Sequence, residues 1–268
     1  MMTGARSTST GRPPASAGLR WLDKRPAAGL RLFCFPWAGA GASVYRRLVP
    51  FLPSAIEPVA VQLPGREERY REAPLLEMDA IVTHVVRDLF PHLDKPFAFM
   101  GHSMGALVAY EAALRLRDCV RVEPDLLVVS GCNAPGSGAL DGYRRCPATA
   151  DDVTLMADIE LMGGTPAAVL RDRQMLSTLL PVVRADYTVL DRYRPRPAKP
   201  LTSRLAICGA AEDISTTEAA LLAWNGLFTQ PGEYQLFEGG HFFLNEHPQP
   251  FGRRLAQWMT DASISLAF

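Results

Sequence analysis

The chain has 268 residues, 48% hydrophobic and 21% charged, enough apolar material for one large core with a modest insertion. Lys+Arg (28) balance Asp+Glu (28), so no net field draws the protein to nucleic acid or to an anionic membrane. The five cysteines, Cys34, Cys119, Cys132, Cys146 and Cys208, are scattered and odd in number, which suits a reducing cytoplasm better than a disulfide framework.

From the amino end, residues 1–28 are rich in Thr, Ser, Gly, Pro and Ala and lack the apolar run of a secretory signal, so a disordered tail is expected there. Short apolar runs then predict strands at Arg31–Phe35, Pro58–Gln62, Phe97–Met100, Leu126–Ser130, Leu205–Ile207 and Tyr234–Phe237. Helical periodicity falls between and after them, at Val44–Phe51, Met78–Phe90, Ala106–Arg117, Thr217–Phe228 and Phe251–Thr260. This alternation predicts an α/β fold with a mostly parallel, doubly wound sheet, built from residues 29–133 and 201–268. Residues 134–200 break the rhythm. Helices are expected there at Val153–Met162, Ala167–Leu180 and Val182–Arg192, separated by Gly163-Gly164-Thr165-Pro166 and by Pro181, as an insertion over the sheet. No stretch reaches the roughly 18–20 apolar residues needed to span a bilayer.

Gly101-His102-Ser103-Met104-Gly105 fits G-x-S-x-G, with a strand candidate running in and a helix candidate running out. Small residues flank such a serine because the turn is tight, and the helix start aims N–H groups and a positive dipole end at a developing oxyanion. Ser103 is therefore the candidate nucleophile; the plainer reading is a serine that caps a helix. His102 points away from a serine beside it at a sharp elbow and is read as structural. His241 follows Glu238-Gly239-Gly240 after the last strand candidate, where a flexible loop can bring an imidazole to the sheet's carboxyl edge as general base. Asp213, shortly beyond Leu205-Ala206-Ile207-Cys208-Gly209, is the expected orienting acid, and the adjacent Glu212 is chemically able to do the same. Two N–H donors are needed for an oxyanion. Met104 supplies one, and Ala38 or its neighbour Trp37, in Pro36-Trp37-Ala38-Gly39-Ala40-Gly41, supplies the other. No metal or redox cofactor is implied by these residues. The G-x-G-x-x-G dinucleotide fingerprint is missing from that loop.

Several separated segments together resemble the type II (editing) thioesterases that accompany polyketide and nonribosomal peptide synthetases. They are Phe35-Pro36-Trp37-Ala38-Gly39, Leu63-Pro64-Gly65-Arg66-Glu67, Gly101-His102-Ser103-Met104-Gly105-Ala106, Leu161-Met162-Gly163-Gly164-Thr165-Pro166, Arg184-Ala185-Asp186 and Gly240-His241-Phe242-Phe243-Leu244. The resemblance implies an α/β-hydrolase whose 134–200 insertion is a lid, and it favours Asp213 over Glu212. It also implies hydrolysis of acyl groups from the phosphopantetheine arm of acyl or peptidyl carrier proteins, the arm belonging to the partner. The chain departs from the family pattern at Gly39-Ala40-Gly41 and at Ala210-Ala211-Glu212-Asp213-Ile214.

Within the insertion, Leu155, Ile159 and Met162 repeat at helical spacing and are expected to wall an acyl chamber; the plainer reading is that they seal the helix onto the domain. Carrier proteins of such systems are acidic, which makes Arg46, Arg47, Arg66, Arg69 and Arg71 candidates for docking them, against the alternative of solvated or internally paired arginines. The competing functions are an esterase or lipase on small oxygen esters and a non-catalytic module that binds acyl carriers.

Overall fold

The computed structural model describes residues 18–137 and 146–265. One sheet runs through the molecule in the order β1-β3-β2-β4-β5-β6-β7. Its strands are β1 (Leu19–Trp21), β2 (Leu30–Phe35), β3 (Ile56–Val61), β4 (Phe97–His102), β5 (Leu126–Ser130), β6 (Arg204–Ala210) and β7 (Glu233–Phe237). All neighbours are parallel except β1, which pairs antiparallel with β3 at Leu19↔Val61.

The expected strands fail to alternate polar with apolar because both faces of the sheet are covered. Phe33 and Phe35 of β2, Phe97 and Phe99 of β4, and Leu127 and Val129 of β5 enter one core, beneath α1 (Met78–Leu89) and α2 (Met104–Val120). Leu32 and Cys34, Ala98 and Met100, and Leu126 and Val128 enter the other, with Tyr45, Phe251 and Trp258. Each fully buried Phe contributes roughly 2–3 kcal/mol of transfer free energy.

The sheet thus agrees with its expected class, and three local readings are corrected. Residues 1–17 lie outside the described residues, but the expected tail does not extend to residue 28. Leu19 is buried, and Arg25 reaches the carbonyls of Leu52 (3.0 Å) and Pro53 (2.6 Å), so this segment is fastened to the domain. The helix expected at Val44–Phe51 is a 3₁₀ helix over Ala42–Phe51. Pro181 does not divide the insertion. Its helices are α3 (Asp152–Met162), α4 (Ala167–Arg171) and α5 (Arg173–Arg192), and α5 continues through Pro181. A proline removes one helical hydrogen bond, whereas Val182, Val183, Ala185 and Val189 bury one continuous face beyond it. The break falls instead at Asp172, whose carboxylate accepts from the N–H groups of Gln174 (2.8 Å) and Met175 (3.1 Å) and caps α5. Residues 138–145 of the insertion lie outside the described residues.

The chain closes with α6 (Glu218–Leu222), α7 (Phe243–Glu246) and α8 (Pro248–Ser265). No helix among the described residues is long and apolar enough to cross a membrane.

Candidate active site

Ser103 sits between β4 and α2 with φ 55° and ψ −125°, a conformation that L-residues rarely adopt. The glycines around it are steric necessities. A Cβ on Gly101 would lie 2.3 Å from the Gly105 carbonyl oxygen, and one on Gly105 would lie 2.0 Å from the Phe35 carbonyl oxygen. The second contact brings the start of α2 against the end of β2, so the Met104 N–H and the loop after β2 approach each other. His102 turns away from the elbow as expected: it is buried, with Nδ1 2.9 Å from the Ser130 hydroxyl. Burial, and then the neighbouring His241, push its pKa well below the usual imidazole value.

Asp213 and His241 arrive from the loops after β6 and β7, which neighbour each other in the sheet. His241 Nδ1 lies 2.8 Å from Asp213 Oδ2, with both side chains buried. The Ser215 hydroxyl donates to Asp213 Oδ1 (2.6 Å), the Ser215 N–H donates to the same oxygen (2.9 Å), and the hydroxyl oxygen lies 3.0 Å from His241 Nδ1. Burial alone would raise the Asp213 carboxyl. The hydrogen bond and charge of His241, with the Ser215 bonds, outweigh it and hold the carboxyl down at about 2. Glu212, by contrast, is exposed, one residue from the imidazole's partner. Ser215 was not anticipated from sequence, although an Asp followed two residues later by a hydroxyl is a local turn pattern that could have flagged it.

In the loop after β2, the Ala40 N–H donates to the Trp37 carbonyl (3.1 Å) and the Gly39 N–H to Asp186 Oδ2 (2.7 Å). The Ala38 N–H meets no acceptor among the described residues. Met104 opens α2, where an N–H has no carbonyl one turn earlier. Asp186, on α5, also takes a two-pronged ion pair from Arg66 (2.8 and 3.0 Å), and Arg66 reaches the Ala40 carbonyl (3.3 Å). A single fully buried carboxylate therefore joins the insertion, the loop after β3 and the loop that carries Ala38. The resemblance had flagged both Arg66 and Asp186; their pairing across 120 residues was invisible in sequence.

That pairing removes Arg66 from the docking candidates. Arg69 falls with it, being buried and paired to Glu72 (2.6 Å). Both belong to a turn that folds inward, where a guanidinium needs a partner. Arg46, Arg47 and Arg71 are exposed.

Two cavities meet over the site. The smaller, about 60 Å³, is lined by Ser103, His241, Ala38, Asp158, Met162 and Phe242, among others. The larger, about 740 Å³, runs beneath the insertion and shares Trp37, Ala38, Met162, Tyr187 and Phe242 with it, but does not touch Ser103. Ile159 lines the larger cavity and Met162 lines both. Leu155 lines neither; it is fully buried among Cys146, Ile159 and Val183, so its role in a chamber wall is withdrawn. The helical stripe is real, but its first turn faces α5 rather than open space. Gly163 and Gly164 have φ of 82° and 75°, and a Cβ on Gly164 would come within 2.5 Å of the Phe242 ring, so the pair serves a close approach to the site. Among the described residues no group of His, Cys, Asp and Glu could hold a metal ion.

The thioesterase domain family matches residues 30–258 of the chain. The gramicidin S biosynthesis protein GrsT of Aneurinibacillus migulanus is 39% identical over 221 residues, covering 82% of this chain and 85% of that protein. Thioesterase PikA5 of Streptomyces venezuelae is 34% identical over 229 residues, 85% of this chain and 80% of that one. In structure the chain is similar to the type II thioesterase BorB from the borrelidin biosynthetic cluster, with a TM-score of 0.80, 30% identity, and coverage of 90% and 96%. It is also similar to RedJ, the thioesterase of the prodiginine pathway in Streptomyces coelicolor, with a TM-score of 0.79, 35% identity, and coverage of 89% and 87%. From the sheet, from the elbow at Ser103 and from these likenesses together, the chain belongs to the thioesterase domain family.

Proposed function

We propose that this protein is an editing thioesterase that hydrolyses acyl groups from the phosphopantetheine arm of acyl or peptidyl carrier proteins, and so clears stalled polyketide or nonribosomal peptide synthases. It needs no cofactor of its own and works in the cytoplasm beside the synthase. The observation that carries the reading is the buried Asp213–His241 bond beside a serine at a strained elbow, with Ser103 and His241 lining one cavity.

In this mechanism His241 takes the Ser103 proton through Nε2, since Nδ1 is turned to Asp213. Ser103 Oγ attacks the thioester carbonyl, and the N–H groups of Met104 and Ala38 bind the oxyanion. The C–S bond breaks and the carrier's thiol leaves, taking its proton from the imidazolium. Water then enters, gives a proton to the same imidazole, and splits the acyl-serine into free acid and Ser103. Asp213, held at about 2, stays ionised and stabilises the imidazolium in both halves of the cycle. The helical insertion acts as a lid, with Ile159 and Met162 facing the acyl group. Exposed arginines such as Arg46, Arg47 and Arg71 offer an acidic carrier a complementary face.

The test is release of free acid from carrier proteins loaded with acyl phosphopantetheine, beside matched oxygen esters of the same acyl groups. The reading expects faster turnover of the thioesters. Faster turnover of the oxygen esters would make the protein an esterase, and binding of the loaded carrier without release would make it a sequestering module.

A further inference from the structure

Among the described residues the aspartates of the insertion are nearly all spoken for. Asp151 accepts from the Thr154 N–H (2.8 Å), Asp152 pairs with Arg184 (2.7 Å) and Asp172 caps α5. Asp186 holds Arg66, and Asp191 accepts from the Ala148 N–H (2.9 Å). Asp158 differs. Among the described residues its one hydrogen-bond partner is the Tyr187 hydroxyl, which donates to Oδ2 (2.8 Å), and no cation pairs with it.

Asp158 also differs in where it faces. It lines the small cavity that holds Ser103 and His241, whose other walls include Trp37, Met162, Leu190 and Phe242. Burial, and then the Asp158 charge, push the Tyr187 phenol well above its ordinary value, so the phenol stays protonated and donates. Among the described residues no donor meets Oδ1. A carboxylate against apolar walls, with no cation paired to it among the described residues, is stabilised most by a ligand that brings a positive charge or a strong donor. The nearby Arg184 is taken up by Asp152 and by the carbonyls of Ala148 and Ala150, and Cys146, on the same cavity, is held as a thiol by burial.

We propose that Asp158 is a specificity-determining residue that receives the free ammonium of an aminoacyl group, so that this thioesterase favours aminoacyl thioesters over uncharged acyl thioesters of the same shape. The inference rests on the hydrolase reading above and deepens it. A cavity of about 60 Å³ confines the recognised ammonium to the first carbons of the acyl chain, near the carbonyl that Ser103 attacks.

The test compares alanyl and isobutyryl thioesters of N-acetylcysteamine, in which an ammonium replaces a methyl at the α-carbon, with a lactyl thioester as the neutral donor. The wild type is expected to prefer alanyl. Asp158→Asn keeps the size and an acceptor for Tyr187 but removes the charge, and should lower the alanyl-to-isobutyryl ratio of kcat/KM by roughly tenfold or more. Tyr187→Phe retains the carboxylate and should move that ratio less. Lactyl should fall between the other two. A parallel fall on alanyl and isobutyryl in Asp158→Asn would make the residue scaffold and overturn the proposal. So would an unmoved ratio, or a Tyr187→Phe protein that loses as much selectivity as Asp158→Asn. A folded wild type that hydrolyses none of the thioesters would instead overturn the hydrolase reading itself, whereas good isobutyryl turnover with unmoved selectivity defeats only the role of Asp158.

Discussion

The sheet and the helical insertion are built on different principles. The sheet is sealed on both faces by broad apolar clusters, and the loops that present Ser103, Asp213 and His241 leave its carboxyl edge from β4, β6 and β7. Among the described residues the insertion has one small buried cluster of its own, Cys146, Leu155, Ile159 and Val183, lends Val189 and Tyr193 to the core of the sheet, and adds directed polar contacts to these. Arg184 gathers the carbonyls of Ala148 and Ala150, Arg192 reaches Glu77 (2.6 Å), and Asp186 holds Arg66 and the Gly39 N–H. Apolar burial is spread over many residues and tolerates the loss of one. A polar tie fails when one atom is removed. The groups proposed to react are thus fixed by the robust part of the molecule, and the walls proposed to face the substrate by the part that single changes can shift.

The sharpest break belongs to the sheet edge. Ser103→Ala should lower kcat by about four to six orders of magnitude. Ser103→Gly should be equally inactive yet more stable than Ser103→Ala by about 1 kcal/mol, because glycine accepts a φ of 55° without strain; equal stabilities by chemical denaturation would remove the strain from the account. Next comes the acid. Asp213→Asn should cost roughly 10⁴-fold in kcat, and Glu212→Gln within about twofold. A larger loss from the exposed Glu212 would reverse the assignment.

The tie between the two regions should give an intermediate effect of a different kind. Asp186→Asn leaves a buried Arg66 without its countercharge and should lower stability by about 3 kcal/mol. It should also lower kcat by roughly tenfold with less change in KM, since in the proposed mechanism the loop carrying Ala38 binds charge only in the transition state. A stability loss with wild-type kcat would show that the tie does not reach the oxyanion.

Within the insertion, Leu155→Ala should cost about 2–5 kcal/mol and leave the acyl-length profile alone. Met162→Trp should narrow that profile with a smaller loss of stability, because Met162 lines both cavities and Leu155 neither. The smallest effect concerns His102. Its folded pKa is depressed, so below the ordinary imidazole value of about 6.5 the unfolded chain takes up a proton that the folded chain refuses. Its contribution to stability is full above about pH 6.5 and declines as the pH falls below it. His102→Gln should flatten that part of a Tm-against-pH curve; an identical curve would assign the acid sensitivity elsewhere.

The same contrast governs how much of the molecule was legible in sequence. Strands β2 to β7 were readable because burial on both faces leaves short apolar runs, and Leu126–Ser130 was placed to the residue. The elbow and the Gly-flanked His241 were readable because their chemistry is local. β1 was missed because three residues, Leu19–Trp21, carry no periodicity and follow a polar stretch. Pro181 misled because one missing hydrogen bond is outweighed by a buried helical face that only tertiary packing reveals. For Arg66 and Arg69 the sequence left docking and internal pairing both open, since the partner of Arg66 is Asp186, 120 residues on, and the burial of Arg69 beside its near neighbour Glu72 follows only from the inward fold of the turn. Polar ties between distant segments leave no pattern in either chain stretch, and such ties help to hold the insertion.

The most direct test of the account is to quench the wild-type protein during turnover of a slowly hydrolysed acyl phosphopantetheine thioester and to map the added mass by peptide sequencing. The account predicts one acyl group on Ser103, formed with release of the thiol, lost with release of the free acid, and missing in Ser103→Ala. Steady thioester turnover with the acyl group on another residue, or turnover surviving undiminished in Ser103→Ala, would contradict it.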